Sequence, residues 1–326
     1  MSRRAALASA LLTTLATPAT WPMALAAFLL RGGLLVVILP IVVLPSPVGI
    51  GNVLAPTLTT LVFRGVSTEL VVLGAGLLVA IVGWIVVGGL LAAALEAEAA
   101  AAVLGDDEAR GGRSPVGGSG DSRRPTRAVD RATAIGILAA RIVAHVPTGI
   151  ATMLGAARLV SLTYRELTSP FDVATPIAIR VIRAAPEVVL GIGLAWMIGE
   201  IVGGLAARRI ALEGQGVRRS LLATIADAFR HPLAVLLDFW VPLLALVAVA
   251  APSALAASAT LGLVRLAMRS PGEAAAAALA VVLFVAIWVV GLVLIAVTVA
   301  WRGAVWSMAH QEIGRRHALA AGGEPG

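Results

Sequence analysis

Apolar residues in this chain are gathered into long unbroken runs, separated by short segments that hold almost all of the charge. Crossing ~30 Å of hydrocarbon takes about twenty apolar residues in a helix. Six runs meet that length, at about 23–44, 70–95, 132–160, 184–207, 233–264 and 274–301. The second, Leu70 to Leu95, carries no charge, and neither does the sixth. The third is interrupted by Arg141, His145, Pro147 and Arg158. The fifth is over-long and contains Pro242 and Pro252, so a kinked or tilted helix is expected there. The pattern predicts an all-α, polytopic helical membrane bundle with about six transmembrane helices and short interfacial helices.

The segments between the runs are of several kinds. Arg3-Arg4 followed by the twelve apolar residues Ala5–Ala16 has the form of a signal-peptide head, but the run is too short to span. An interfacial helix and a cleaved leader (residues 1–20) are the two readings. Residues 46–68 are apolar and punctuated by Pro and Gly, and the part near Val53 to Phe63 is expected to lie in the interface or dip back into the bilayer. Residues 96–131 combine Asp106, Asp107 and Glu108 with Gly111, Gly112, Gly117, Gly118 and Gly120 and a closing group of Arg123, Arg124, Arg127 and Arg131, a composition that cannot build a core, so they are expected to form a disordered cytoplasmic linker. Residues 208–231 form a second basic loop, in which Val217, Leu221, Leu222, Ile225 and Phe229 recur at helical spacing. That repeat predicts an amphipathic helix on the membrane surface.

Composition sharpens this. Hydrophobic residues make up 59% of 326 positions and charged residues 13%, against roughly half and a quarter in soluble domains. The net charge is +7, and every basic residue outside histidine is an arginine. These arginines sit at run ends and in loops, which argues for orientation in a bilayer rather than for nucleic-acid binding. If both termini, 96–131 and 208–231 share one side, that side holds 16 arginines and the other six, with three inside the runs. The positive-inside rule then places both termini in the cytoplasm of a multi-pass cell-membrane protein. The absence of Lys and Cys removes Schiff-base, P-loop, thiolate and disulfide chemistry. The four histidines are scattered at 145, 231, 310 and 317, with no His-Glu-x-x-His metal pattern, and His310 and His317 read as solvated residues of a tail. No nucleophile elbow, phosphate loop or dinucleotide fingerprint is present, so no enzyme activity, cofactor or metal is expected.

Two features point to packing and to a site. Gly191, Ala195, Gly199, Gly203 and Ala207 recur every fourth residue, making a smooth ridge on which another helix can approach closely. The ridge suits either an internal or an intermolecular contact. Charges inside a spanning helix cost at least ~2.5–3.5 kcal/mol each on insertion scales and are therefore expected to find partners. Arg31, Arg141, His145, Glu200 and Asp238 all fall within or near the inner halves of their runs, and form the candidate buried polar cluster, with two charges of each sign besides the histidine. It reads either as a site for an ion, a proton or a polar headgroup, or as a set of structural ion pairs. A paired-carboxylate protease would need Glu200 and Asp238 face to face, without any supporting motif. A second charged group, Arg158, Arg165, Glu166, Asp172, Arg180, Arg183 and Glu187, surrounds one external loop. Two function classes follow. One is a transporter, or the membrane subunit of one, for an ion, small solute or lipid. The other is a non-transporting scaffold or assembly protein of the cell envelope. The partners compatible with these are the lipid bilayer, other membrane proteins and a soluble ATPase subunit, but not nucleic acid.

Overall fold

The computed structural model describes residues 3–38, 41–42, 55–57, 59–61, 63–110, 130–168, 175–269 and 274–320. Among these there is no strand. Helix α1 (Arg3–Ala16) precedes α2 (Thr20–Phe28), a wide π-helical turn (Leu29–Gly33) and α3 (Leu34–Ile38). Then come α4 (Thr68–Arg110), α5 (Arg131–Thr168), α6 (Ile177–Ala184), α7 (Pro186–Glu213), α8 (Val217–Arg230), α9 (Pro232–Ala267) and α10 (Ala274–Ala320). Six segments are long and apolar enough to cross a membrane: Thr20–Ile38, Thr68–Val103, Arg131–Thr168, Pro186–Glu213, Pro232–Ala267 and Ala274–Gln311. They match the six apolar runs one for one, and suggest an integral membrane protein.

Two helix pairs dominate the packing, α5 with α7 and α9 with α10; α1, α2 and α4 seal the remaining sides. Most of the core lies towards one end. Ala93, Ala97, Ala134, Ile137, Ala140, Ala206, Ala207 and Ile210 pack α4, α5 and α7 together. Ile201, Leu205, Val235, Phe239 and Trp306 join α7, α9 and α10. Alanine and glycine at these positions let the backbones approach, and the larger side chains fill what remains. Towards the other end of α4, Val72, Leu73, Val79 and Val87 are exposed apolar surface, as expected where lipid is the solvent.

The helices run further than the apolar runs do. Helix α4 continues past Leu95 to Arg110, so residues 96–110 are not part of a disordered linker. The stretch 92–103 is rich in alanine, the best helix former, and Ala97, Ala100 and Val103 are buried. Residues 111–129 of that linker lie outside the described residues, as do 46–54, 58 and 62 of the segment 46–68. Helix α7 likewise runs on to Glu213, which carries Arg208 and Arg209 into the bundle instead of into a basic loop. Helix α1 packs through Ala10 on Ala304 and Val305 of α10, and the indole of Trp301 donates to the Leu7 carbonyl at 3.1 Å.

Among the described residues, only one half of the small-residue ridge is packed against another helix. A Cβ on Gly199 would meet the His145 ring at 2.9 Å and the Ala144 carbonyl at 3.0 Å, and one on Gly203 would meet Ala144 and Arg141 side-chain atoms at 3.4 and 3.5 Å. Ala207 is buried in the same seam against α5. Ala195 is half-buried, and Gly191 has open space where its Cβ would be. The ridge therefore seats α5 from Gly199 onwards and leaves Gly191 uncovered.

Candidate functional site

The site begins with a break in a helix. After Phe28 the chain leaves α-helical geometry, with Arg31 at φ −89°, ψ 15° and Gly32 at φ 103°, ψ −6°. Gly32 occupies a left-handed conformation that a side chain would resist. Gly33 beside it is crowded by the Phe28 ring, 2.3 Å from where a Cβ would stand. This turn lies in the middle of the first apolar segment and presents Arg31 to α4.

There the Arg31 guanidinium donates to Glu96 Oε2. Glu96 is 8% exposed and faces two further arginines. Arg141 of α5 places Nη2 at 2.8 and 2.9 Å from its two carboxylate oxygens. Arg208 of α7 puts Nη2 at 3.4 Å from Oε1, while its Nη1 donates to the Glu96 backbone carbonyl at 3.0 Å. One carboxylate thus gathers guanidinium groups from three other helical segments. Glu200, on α7, is the second centre. Arg302 of α10 donates to its Oε2 at 2.8 Å, and Arg141 Nη1 lies 3.9 Å from its Oε1. His145 Nε2 is 3.5 Å from the same oxygen, and His145 Nδ1 is 2.9 Å from the Arg141 carbonyl. Arg141 therefore bridges the two acids.

These groups are not packed solid against one another. Arg31, Glu96, Arg141, Glu200, Arg208 and Arg302 all line one partly enclosed cavity of about 200 Å³. Its remaining walls are largely apolar, including Ala24, Phe28, Trp196, Val299 and Trp306. Four guanidinium groups face two carboxylates there, an excess of two positive charges before His145 is counted. Burying charge is tolerable only when partners and hydrogen bonds offset lost hydration. Glu96 and Glu200 meet that condition, but the arginines outnumber them.

The cavity's composition departs from the sequence grouping in both directions. Arg31, Arg141, His145 and Glu200 are brought together. Asp238 does not line the cavity. It is buried on α9, one residue before Phe239, whose ring packs edge-on against Trp196 and Trp240 and lies 5.9 Å from the Arg302 guanidinium carbon. Glu96, Arg208 and Arg302 each follow a long apolar run, and a charge after such a run normally marks its end, so the pattern alone places them in the segments beyond the runs. One signal against that reading was available. The four-residue spacing of Gly199, Gly203 and Ala207 continues to Ala211, which carries the helix straight past Arg208.

A second polar centre ties α7 to its neighbours. Arg209 pairs with Asp227 of α8, both buried. Glu213 lies 2.6 Å from His310 Nε2 of α10. His310 is buried, not part of a solvated tail. In the charged group around the connection between α5 and α7, Arg158 pairs with Glu187 at 2.8 Å with both side chains more than half exposed, and Arg180 lies 3.3 Å from Glu166. Asp172 lies outside the described residues. Among the described residues no group of three or more His, Asp or Glu is arranged to hold a metal ion. The chain matches no protein-family model, no curated protein and no solved structure.

Proposed function

We propose that the protein is a multi-pass integral membrane protein of the carrier class, or the membrane subunit of a transporter, with its arginine-rich end and both termini in the cytoplasm. The cavity between α2, α4, α5, α7 and α10 is its substrate site. The observation that carries this reading is the convergence of six charged side chains, from five helical segments, on one partly open space. A purely structural set of ion pairs would be expected to balance its charges and fill its volume. This one does neither.

Orientation rests on the distribution of arginines, 16 against six between the two sides. The alternative, a scaffold that holds envelope partners together, draws on a different observation: the uncovered part of the α7 ridge at Gly191 and the exposed apolar faces of α4. A scaffold has no use for a charged internal cavity.

The test is flux. Purified protein in proteoliposomes on a solid-supported membrane is challenged with phosphate, sulfate and succinate, and translocation of a fluorescent phosphatidylglycerol is followed in parallel by dithionite quenching. A carrier gives protein-dependent charge movement or lipid translocation, lost in Glu200→Gln. Folded protein inactive with every one of these substrates would favour the scaffold.

A further inference from the structure

We infer that the cavity binds a phosphate group, presented either by a membrane phospholipid or by a free phosphate-bearing solute. This names the substrate class of the site proposed above and rests on that reading.

Three observations converge on phosphate. The first is charge. Arg31, Arg141, Arg208 and Arg302 stand against Glu96 and Glu200, so the cavity lacks two negative charges, and a phosphate group supplies one as a diester or about two as a monoester. The second is donor supply. Four guanidinium groups offer about twenty N–H donors, yet among the described residues their hydrogen bonds are donated by four nitrogens: Arg31 Nη2, Arg141 Nη2, Arg208 Nη1 and Arg302 Nη2. The Nε atoms of Arg141 and Arg208 are fully buried and have no acceptor among the described residues. Buried donors normally find acceptors, and a ligand with several oxygens provides them. Arginine forks converging from four separate helical segments suit a tetrahedral group that accepts on every side. A planar carboxylate is satisfied by one or two such forks.

The third is depth. Glu96 follows 26 uncharged residues after Glu69, and Arg302 follows the uncharged stretch 274–301. At 1.5 Å per residue the first of these runs is ~39 Å long, longer than the ~30 Å hydrocarbon core and close to the ~40–45 Å that includes the headgroups. Both side chains, and the cavity between them, therefore stand at headgroup level on the arginine-rich side. Ala24, Phe28 and Val299 line the same cavity and offer apolar surface for the start of an acyl chain.

The experiment compares three ligands on the full-length protein. Delipidated protein in mild detergent is examined by native mass spectrometry after addition of dioleoylphosphatidylglycerol or dioleoylphosphatidylcholine, and by calorimetric titration with inorganic phosphate. Preferential retention of phosphatidylglycerol, weakened at least tenfold in Arg302→Gln and largely restored in Arg302→Lys, supports the lipid source. Phosphate binding with the same dependence on residue 302, and no lipid preference, supports a free phosphate-bearing solute. Arg302 is the partner of choice because, among the described residues, it is the one of the four that makes no ion pair with Glu96. Should Arg302→Gln fail to fold, Arg302→Lys and the comparison of ligands on the native protein still decide. Equal retention of both lipids, unchanged in Arg302→Gln, together with no phosphate binding overturns the inference. If succinate flux sensitive to Glu200→Gln nevertheless persists in the proteoliposomes, the carrier reading stands and only the phosphate assignment falls.

Discussion

Glu96 is the residue on which the polar centre depends. It accepts from Arg31 and Arg141, and its backbone carbonyl accepts from Arg208. Removing one member of a buried ionic cluster leaves its partners uncompensated, at about 3–5 kcal/mol. Glu96→Gln should therefore lower the thermal stability of the detergent-solubilised protein by that order. Glu96→Gln combined with Arg208→Gln should be less damaging than the sum of the two single changes; strictly additive losses would mean that the two side chains are not energetically coupled. The same holds for Glu200→Gln with Arg141→Gln. At Gly32 the cost is conformational. There is open space for a Cβ, but φ is 103°, so Gly32→Ala should destabilise by about 1–3 kcal/mol through backbone strain alone. Sequence made some of these residues visible and hid others. Arg31, Arg141 and Glu200 interrupt apolar runs and can be found by eye. Glu96, Arg208 and Arg302 each follow a run, where charge is ordinary; only knowing that the helix continues beyond the run reveals them.

Helices α5 and α7 make the closest seam, and glycine sets its spacing. Gly199→Ala would press a methyl group against the Ala144 carbonyl and the His145 ring, so it should cost about 1–3 kcal/mol as an overpacked contact and disturb His145 beside Glu200. Gly191→Ala, on the same ridge but with nothing within 4 Å, should be neutral or slightly stabilising. A large loss at Gly191 instead would identify the outer half of the ridge as an intermolecular contact. Helix α8 carries a different lesson. Its helical repeat was legible, but the structure divides it. Val217 and Leu221 face the core between α5 and α7, while Leu222, Ile225 and Phe229 are exposed, flanked by Arg218, Arg219 and Arg230. The buried face holds Ser220, Thr224 and Asp227. An exposed apolar stripe edged with arginine is suited to the surface of an anionic bilayer. A solvatochromic label at Phe229→Cys should shift to the blue on reconstitution into phosphatidylglycerol vesicles, and one at Ala223→Cys much less. No difference between the two would mean that the stripe faces water.

On the scale of the molecule, the number of spanning segments and the all-helical architecture are plain in the sequence, because twenty apolar residues have few other ways to satisfy their backbone. What the runs do not reveal is where the core lies. It is concentrated towards the arginine-rich end, where the helices outlast their apolar stretches and bring their first charges together. Orientation can be tested directly, since the chain has no cysteine and single replacements need no altered background. Val66→Cys and Met268→Cys should react with a membrane-impermeant maleimide in intact cells, and Gly216→Cys only after lysis; the reverse pattern would invert the topology. The central claim concerns the cavity and is tested most directly by an experimental density map of the protein in phosphatidylglycerol nanodiscs. The expected result is a tetrahedral group within hydrogen-bonding reach, about 2.7–3.2 Å, of guanidinium nitrogens of Arg208 and Arg302. A map in which the four arginines close on Glu96 and Glu200 and leave no room for a further group would contradict it.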